Sequence, residues 1–129
     1  MSLIKHKSDE NLESAKILNN NKKFASSVHC SYYSILQLMK YALCEKCSID
    51  YDKQNEKREQ DSHLYIRDQL LFQLRDTRIK ESIKRKFDAT KALRRKADYL
   101  NENISDIESL DAYDHAEELI KKIKKEFAL

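Results

Sequence analysis

The feature that most constrains the fold of this chain is the complete absence of glycine and proline from its 129 residues. Average usage would supply roughly nine glycines and six prolines. Tight β-hairpin turns and phosphate-cradling loops depend on glycine, because only glycine enters positive-φ conformations without a steric penalty. The composition therefore disfavours β-rich folds, P-loops and dinucleotide-binding turns, and it predicts an all-α protein.

The spacing of apolar residues predicts a single domain, 1–129, folded as a five-helix up-and-down bundle. The third helix starts near Ser62 and carries leucines as far as Leu74, and the other four helices are predicted at 8–20, 22–47, 77–100 and 105–127. Residues 48–61 are polar and charged without a period, so they are predicted to form a long flexible loop between helices 2 and 3.

Two serines are predicted to begin helices. Ser8 is the expected N-cap of the first helix, because acidic residues follow it in the first turn. Ser105 and Glu108 match a capping box that opens the last helix. That last helix is expected to bury Leu110 among its apolar residues.

The chain carries no signal for export or membrane insertion. It lacks an apolar run long enough to span a bilayer, and its first residues lack the apolar region of a signal peptide. Three cysteines, an odd number, indicate a reducing cytoplasm. Cys44 and Cys47 form a CxxC pair without a second ligand pair, so we expect structural thiols, no metal and no cofactor.

Charge is distributed unevenly although the net charge is only +3. Residues 75–96 hold ten basic and three acidic residues, whereas 97–118 hold eight acidic residues and no lysine or arginine. The two oppositely charged helices could simply attract one another when packed antiparallel. Alternatively, the basic helix offers a strip for phosphates, with Lys84, Arg85 and Lys91 as candidate ligands.

The stretch 93–99 places a charged pair on the buried side of the basic helix. At about 100° per residue, Arg94 and Asp98 project onto the same side as the apolar stripe. The apolar stripe runs through Ile79, Ile83, Phe87, Thr90 and Ala97. Such a pair must find partners in place or line a pocket or an interface. We therefore predict that both side chains contact one another or the second helix, with Tyr99 beside them as a binding or interface residue.

His29 and Tyr33 lie one turn apart at the edge of the second helix's apolar stripe. One interpretation has them face Arg94 and Asp98 across a shared polar pocket. The other treats them as half-buried, hydrogen-bonded residues at the edge of the core.

Four segments, taken in order, resemble the HEPN family (higher eukaryotes and prokaryotes nucleotide-binding). Residues 24–43, with Tyr32 and Tyr33, are similar to the second HEPN helix, and His63 falls where many of these domains place a histidine. Residues 93–99 resemble the Leu-Arg-x-x-Ala-Asp-Tyr signature of one branch, and 104–120 resemble its closing helix.

The resemblance implies an up-and-down helical bundle that is frequently a homodimer. Members occur in prokaryotic defence and toxin–antitoxin systems, often beside a minimal nucleotidyltransferase partner. Many are metal-independent ribonucleases whose signature is an arginine followed, four to six residues later, by a histidine. The histidine moves protons at the ribose or the leaving oxygen, and the arginine neutralises charge that develops on the phosphate.

This sequence departs from that signature, because no histidine follows Arg94 until His115. The literal match, Arg58 to His63, lies mostly in the predicted loop. The nuclease roles are therefore not carried over, and Arg58, His63 and His29 stay as candidates. Three hypotheses follow: a HEPN-like module that binds RNA, a nucleotide or a partner protein; an atypical ribonuclease using Arg94, Asp98 and His29 or His63; and a purely structural helical adaptor.

Overall fold

The computed structural model describes residues 2–56 and 59–129, with the side chains of 59–61 left aside. Its described part confirms the all-α prediction and contains six helices. They are α1 (Leu3–Asn20), α2 (Phe24–Cys47), α3 (Tyr51–Gln54), α4 (Glu59–Phe72), α5 (Thr77–Tyr99) and α6 (Asp106–Glu126). Within that part, no helix is both long enough and apolar enough to cross a membrane.

The segment predicted as a long loop contains a helix and the start of another. Asp50 caps α3, because its side chain accepts a hydrogen bond from the backbone N–H of Lys53 at 2.8 Å. Gln54 is fully buried, and its Nε2 donates to the carbonyls of Lys40 at 3.1 Å and Ile49 at 2.9 Å. These side-chain contacts hold α3 in place. They could not be predicted from the spacing of apolar residues in the sequence.

The first helix begins a turn and a half before the predicted start. Ser2 is its N-cap and accepts a hydrogen bond from the backbone N–H of Lys5 at 3.4 Å. The prediction that Ser8 is the N-cap is wrong, because Ser8 is a buried helical residue. Its hydroxyl donates to the carbonyl of Ser34 on α2 at 2.6 Å. The serine therefore ties α1 to α2 and does not begin a helix.

The central element is α2, which packs against all five other helices. Its buried residues form the middle of one large apolar cluster with residues from α4, α5 and α6. The fully buried large side chains of that cluster include Tyr32, Ile35, Leu36, Met39, Leu43, Ile66, Leu70, Ile83, Phe87 and Leu119. Burial of Ile83, Phe87 and Thr90 confirms the apolar stripe predicted for α5.

The capping box at Ser105 and Glu108 is present, as predicted. One residue of α6, Leu110, is not buried as predicted. Leu110 is 48% exposed, whereas its small neighbours Ser109 and Ala112 are fully buried. The hydroxyl of Ser109 donates to Oδ1 of Asn19 at 2.8 Å, so the close approach of α1 selects small residues at this end of α6.

Candidate functional site

Arg94 lies at the centre of a polar cluster between α5 and α2. Its side chain is almost buried, and its Nε donates to Oδ2 of Asp98 at 3.1 Å. Its Nη2 donates to the hydroxyls of Tyr33 at 2.7 Å and Tyr99 at 2.9 Å. The predicted contact of Arg94 with both Asp98 and the second helix is therefore confirmed.

Aromatic rings surround the Arg94 guanidinium. Its Cζ lies 5.3 Å from the ring centroid of Tyr32, 5.2 Å from that of Tyr33 and 5.0 Å from that of Tyr99. Cations at these distances are attracted by the electron-rich ring faces. Burial acts to lower the pKa of Arg94, but the tyrosines and Asp98 outweigh it and the pKa is raised. The guanidinium is therefore a fixed positive charge.

His29 joins this cluster through Asp98. Its Nδ1 lies 2.8 Å from Oδ2 of Asp98, and its ring centroid lies 4.7 Å from that of Tyr33. Because an ionised carboxylate only accepts, the histidine donates its Nδ1 proton in this bond. His29, Tyr33, Arg94 and Asp98 are thus one hydrogen-bonded and stacked network at the edge of the core.

His63 lies on α4 beside this network and is only 5% exposed. Its Nδ1 is hydrogen-bonded to the Tyr32 hydroxyl at 2.8 Å, and Tyr32 is also the ring beneath Arg94. Burial, followed by the positive charges of Arg94, Lys40 and Lys91, lowers the pKa of His63 to about 4. The imidazole is therefore neutral at physiological pH, the state in which it can accept a proton.

His63 lies near the start of α4, which begins at Glu59, three residues before the predicted start near Ser62. Part of the Arg58-to-His63 stretch that was expected in the loop is therefore helical. Arg58 itself lies outside the described residues, so a joint role of Arg58 and His63 stays a prediction.

A cleft of about 960 Å³ opens beside His63, and we call it the basic cleft. Its basic and aromatic lining residues are His63, Arg67, Lys91, Arg94, Arg95 and Tyr99. Arg67 pairs with Asp68 and Asp88, each at 2.7 Å. By contrast, neither Lys91 nor Arg95 has an acidic partner in the part of the chain that the structure describes. The cleft therefore offers free positive charge next to the fixed guanidinium of Arg94.

The basic helix α5 was expected either to attract the acidic helix or to offer a strip for phosphates. The two interpretations apply to different faces of α5. On one face, Lys86 pairs with Glu118, and Lys96 pairs with Glu108 at 2.9 Å. Attraction between α5 and α6 accounts for these lysines. Lys91 and Arg95 lie on the opposite face by helical geometry, so packing against α6 does not account for them.

The three predicted phosphate ligands are not brought together. Lys91 lines the basic cleft, whereas Arg85 lines a separate shallow hollow with Arg78 and Ser82. Lys84 is exposed and lines neither. Sequence reasoning missed Arg67 and Arg95, although Arg67 follows His63 by four residues and so shares its helix face.

The cysteines take no part in this site. Cys30, Cys44 and Cys47 are all free and partly buried, and burial raises the pKa of the Cys30 and Cys47 thiols. A raised pKa reduces the reactive thiolate fraction. Among the described residues, no group of three potential ligands is placed to hold a metal.

No protein-family model matches the chain, and no curated protein matches its sequence. The resemblance to HEPN domains therefore rests on the short sequence motifs alone, and a HEPN-like function is a proposal.

Proposed function

We propose that this protein is a HEPN-like helical module that binds RNA through the basic cleft. The observation that supports this proposal is the convergence of Lys91, Arg94 and Arg95 on one cleft beside His63. Two of these charges have no acidic partner in the described chain. Unpaired basic side chains in a concave site favour phosphate, since counterion release makes such contacts attractive.

The exposed aromatic ring at the cleft favours single-stranded RNA over an isolated phosphate. Tyr99 is 63% exposed while its hydroxyl accepts a hydrogen bond from Arg94. One ring face therefore has room for a base, and stacking on aromatic rings is the usual way in which proteins hold unpaired bases.

Charge reversal in the cleft tests this proposal. The double variant Lys91→Glu/Arg95→Glu should bind a short single-stranded oligoribonucleotide at least about a hundredfold more weakly than wild type in fluorescence anisotropy. The matched control is Lys121→Glu/Lys125→Glu, which makes the same charge change at exposed positions of α6. Equal loss in both variants would show general electrostatic attraction without a site, and no wild-type binding would overturn the proposal and favour the structural adaptor.

A second candidate function is metal-independent RNA cleavage, and the neutral His63 beside Arg94 favours it. In this reaction the ribose 2′-oxygen attacks the adjacent phosphorus while a base removes its proton. The bond from phosphorus to the 5′-oxygen breaks, and that oxygen takes up a proton to leave a 2′,3′-cyclic phosphate. The neutral His63 is the candidate acceptor of the first proton, although its pKa of about 4 makes it a weak base. Arg94 is suited to neutralise charge on the phosphate.

Cleavage in the presence of chelator is the test of this second candidate. His63→Asn keeps a polar atom near the position of Nδ1 but cannot exchange protons, so cleavage should fall by about a hundredfold or more. His29→Asn is the comparison variant, since His29 binds Asp98 on the other side of the network. RNA that stays intact with wild-type protein under all conditions would leave binding alone.

The biological setting is proposed from the resemblance to HEPN domains. We propose a role in prokaryotic defence or a toxin–antitoxin pair, as a homodimer with a nucleotidyltransferase partner. Exposed Leu100 at the edge of the basic cleft offers apolar surface for a second copy. A neighbouring nucleotidyltransferase gene and a dimeric mass in light scattering would support this setting, whereas an isolated gene and a monomer would contradict it.

A further inference from the structure

A second cleft, of about 1140 Å³, lies on the other side of His63 between the start of α1, α2, α3 and α4. We call it the tyrosine cleft. Its basic and aromatic lining residues are Lys7, Tyr33, Lys40, Tyr41, Tyr51 and His63.

The two clefts meet at His63, which lines both of them. Tyr33 also links them, because its ring lines the tyrosine cleft while its hydroxyl accepts a hydrogen bond from Arg94 in the basic cleft. The nearly buried His63 and the hydrogen bond between Tyr33 and Arg94 form the ridge between the clefts, and a chain-like ligand that occupies both would pass over this ridge.

The tyrosine cleft carries positive charge of its own. Lys40 is partly buried and lines the cleft together with His63, and its charge contributes to the lowered pKa of that histidine. Among the side chains that the structure describes, none forms an ion pair with Lys40. Lys7 also lines the cleft, and Nζ of Lys5 lies 5.5 Å from the ring centroid of Tyr41. Glu45 is the one carboxylate among the described lining residues, so the lysines outweigh it.

The same cleft presents groups that suit a nucleobase. Tyr41 and Tyr51 are two of the aromatic residues that line it. Oε1 of Gln37 accepts a hydrogen bond from Nδ2 of Asn11 at 2.8 Å, which fixes the amide and leaves its N–H groups to donate. Aromatic rings beside an oriented amide are a common combination where proteins recognise unpaired bases.

We propose that the tyrosine cleft is a second nucleotide subsite, in which Lys40 binds the phosphate next to the one held at Arg94. This inference rests on the proposed function, because it extends the RNA from the basic cleft. A single strand then crosses His63, with one phosphate at Arg94 and the neighbouring nucleotide among Lys40, Tyr41 and Tyr51. The protein therefore binds single strands of at least two nucleotides more tightly than a mononucleotide.

The test compares Lys40→Gln with Lys46→Gln, a matched change at an exposed lysine of the same helix. Lys40→Gln should weaken binding of a single-stranded oligoribonucleotide by about tenfold, the effect of one lost charge-assisted contact. The slope of log affinity against log salt should become less negative by about 0.7, as expected for one phosphate contact on a single strand. Binding of adenosine monophosphate should be unchanged, and Lys40→Arg should restore oligonucleotide binding.

The outcomes separate this inference from the proposed function. Suppose that RNA binding is lost in Lys91→Glu/Arg95→Glu but is unchanged in Lys40→Gln. This result would overturn the second subsite, whereas the proposed RNA binding at the basic cleft would stand. An equal loss of mononucleotide binding in Lys40→Gln would also overturn it, because Lys40 would then belong to a single site. No binding by wild type would overturn both proposals.

Discussion

Arg94 shows how one side chain can organise a site within a small helical bundle. It hydrogen-bonds two tyrosine hydroxyls and one carboxylate while it lies close to three tyrosine rings. Removal of Arg94 takes one hydrogen bond from each of these three acceptors, and at a buried group such a loss costs more than the bond itself contributes. The arginine therefore supports the fold as well as the site.

Arg94→Ala should lower the free energy of unfolding by about 3 kcal/mol, since it leaves Tyr33, Tyr99 and Asp98 without their common donor. Arg94→Lys should also destabilise, because an ammonium cannot reproduce the planar fork of the guanidinium. Arg95→Ala is the control and should change stability by less than about 0.5 kcal/mol, as it removes an exposed side chain. Urea denaturation measures all three, and equal stability of the two alanine variants would contradict the central position of Arg94.

His63 should make stability depend on pH. Its pKa is about 4 in the folded protein, against 6.5 for an unperturbed histidine. Below pH 6.5 the unfolded chain binds a proton that the native state does not, so stability falls as pH drops from 6.5 towards 4. The loss attributable to His63 should be up to about 3 kcal/mol.

Denaturation of wild type and His63→Asn across this pH range isolates the effect, because the carboxylates titrate alike in both. The difference in stability between the two proteins should shrink as pH falls. A constant difference would show that His63 titrates normally.

Among the elements, α3 is where the structure departs most from what the sequence predicts. Gln54→Ala removes two hydrogen bonds that hold this turn to Lys40 on α2 and to Ile49 just before α3. We expect the free energy of unfolding to fall by about 2 kcal/mol. Lys53→Ala, at the exposed neighbouring position, should have little effect. A negligible effect of Gln54→Ala in the same denaturation assay would mean that the turn contributes nothing to stability.

Elements with a strong apolar period were predictable, and so was part of the site. The stripe on α5 placed Arg94 on the buried side, from which its contact with Asp98 and α2 follows. The early start of α1 and the burial of His63 were not predictable, because Ser8 and His63 owe their positions to partners on α2. The tyrosine cleft was missed for the same reason, since its lining comes from four helices.

For the whole molecule, the arrangement of charge matters more than the net value of +3. The acidic helix α6 neutralises one face of α5 through Glu108 and Glu118. The opposite face of α5 keeps its positive charge beside the basic cleft, which shares His63 with the tyrosine cleft. This separation gives one side of a nearly neutral protein the electrostatic character of an RNA-binding surface.

The histidines provide the most direct test of the central claim that RNA binds at the basic cleft beside His63. Their ring resonances can be followed in histidine-labelled protein during titration with a single-stranded oligoribonucleotide. We predict saturable shifts for His63, at the meeting point of the clefts, and smaller shifts for His29. His115, on α6, should not move. Bound RNA with an unchanged His63 resonance would contradict the account, as would shifts at His115 equal to those at His63.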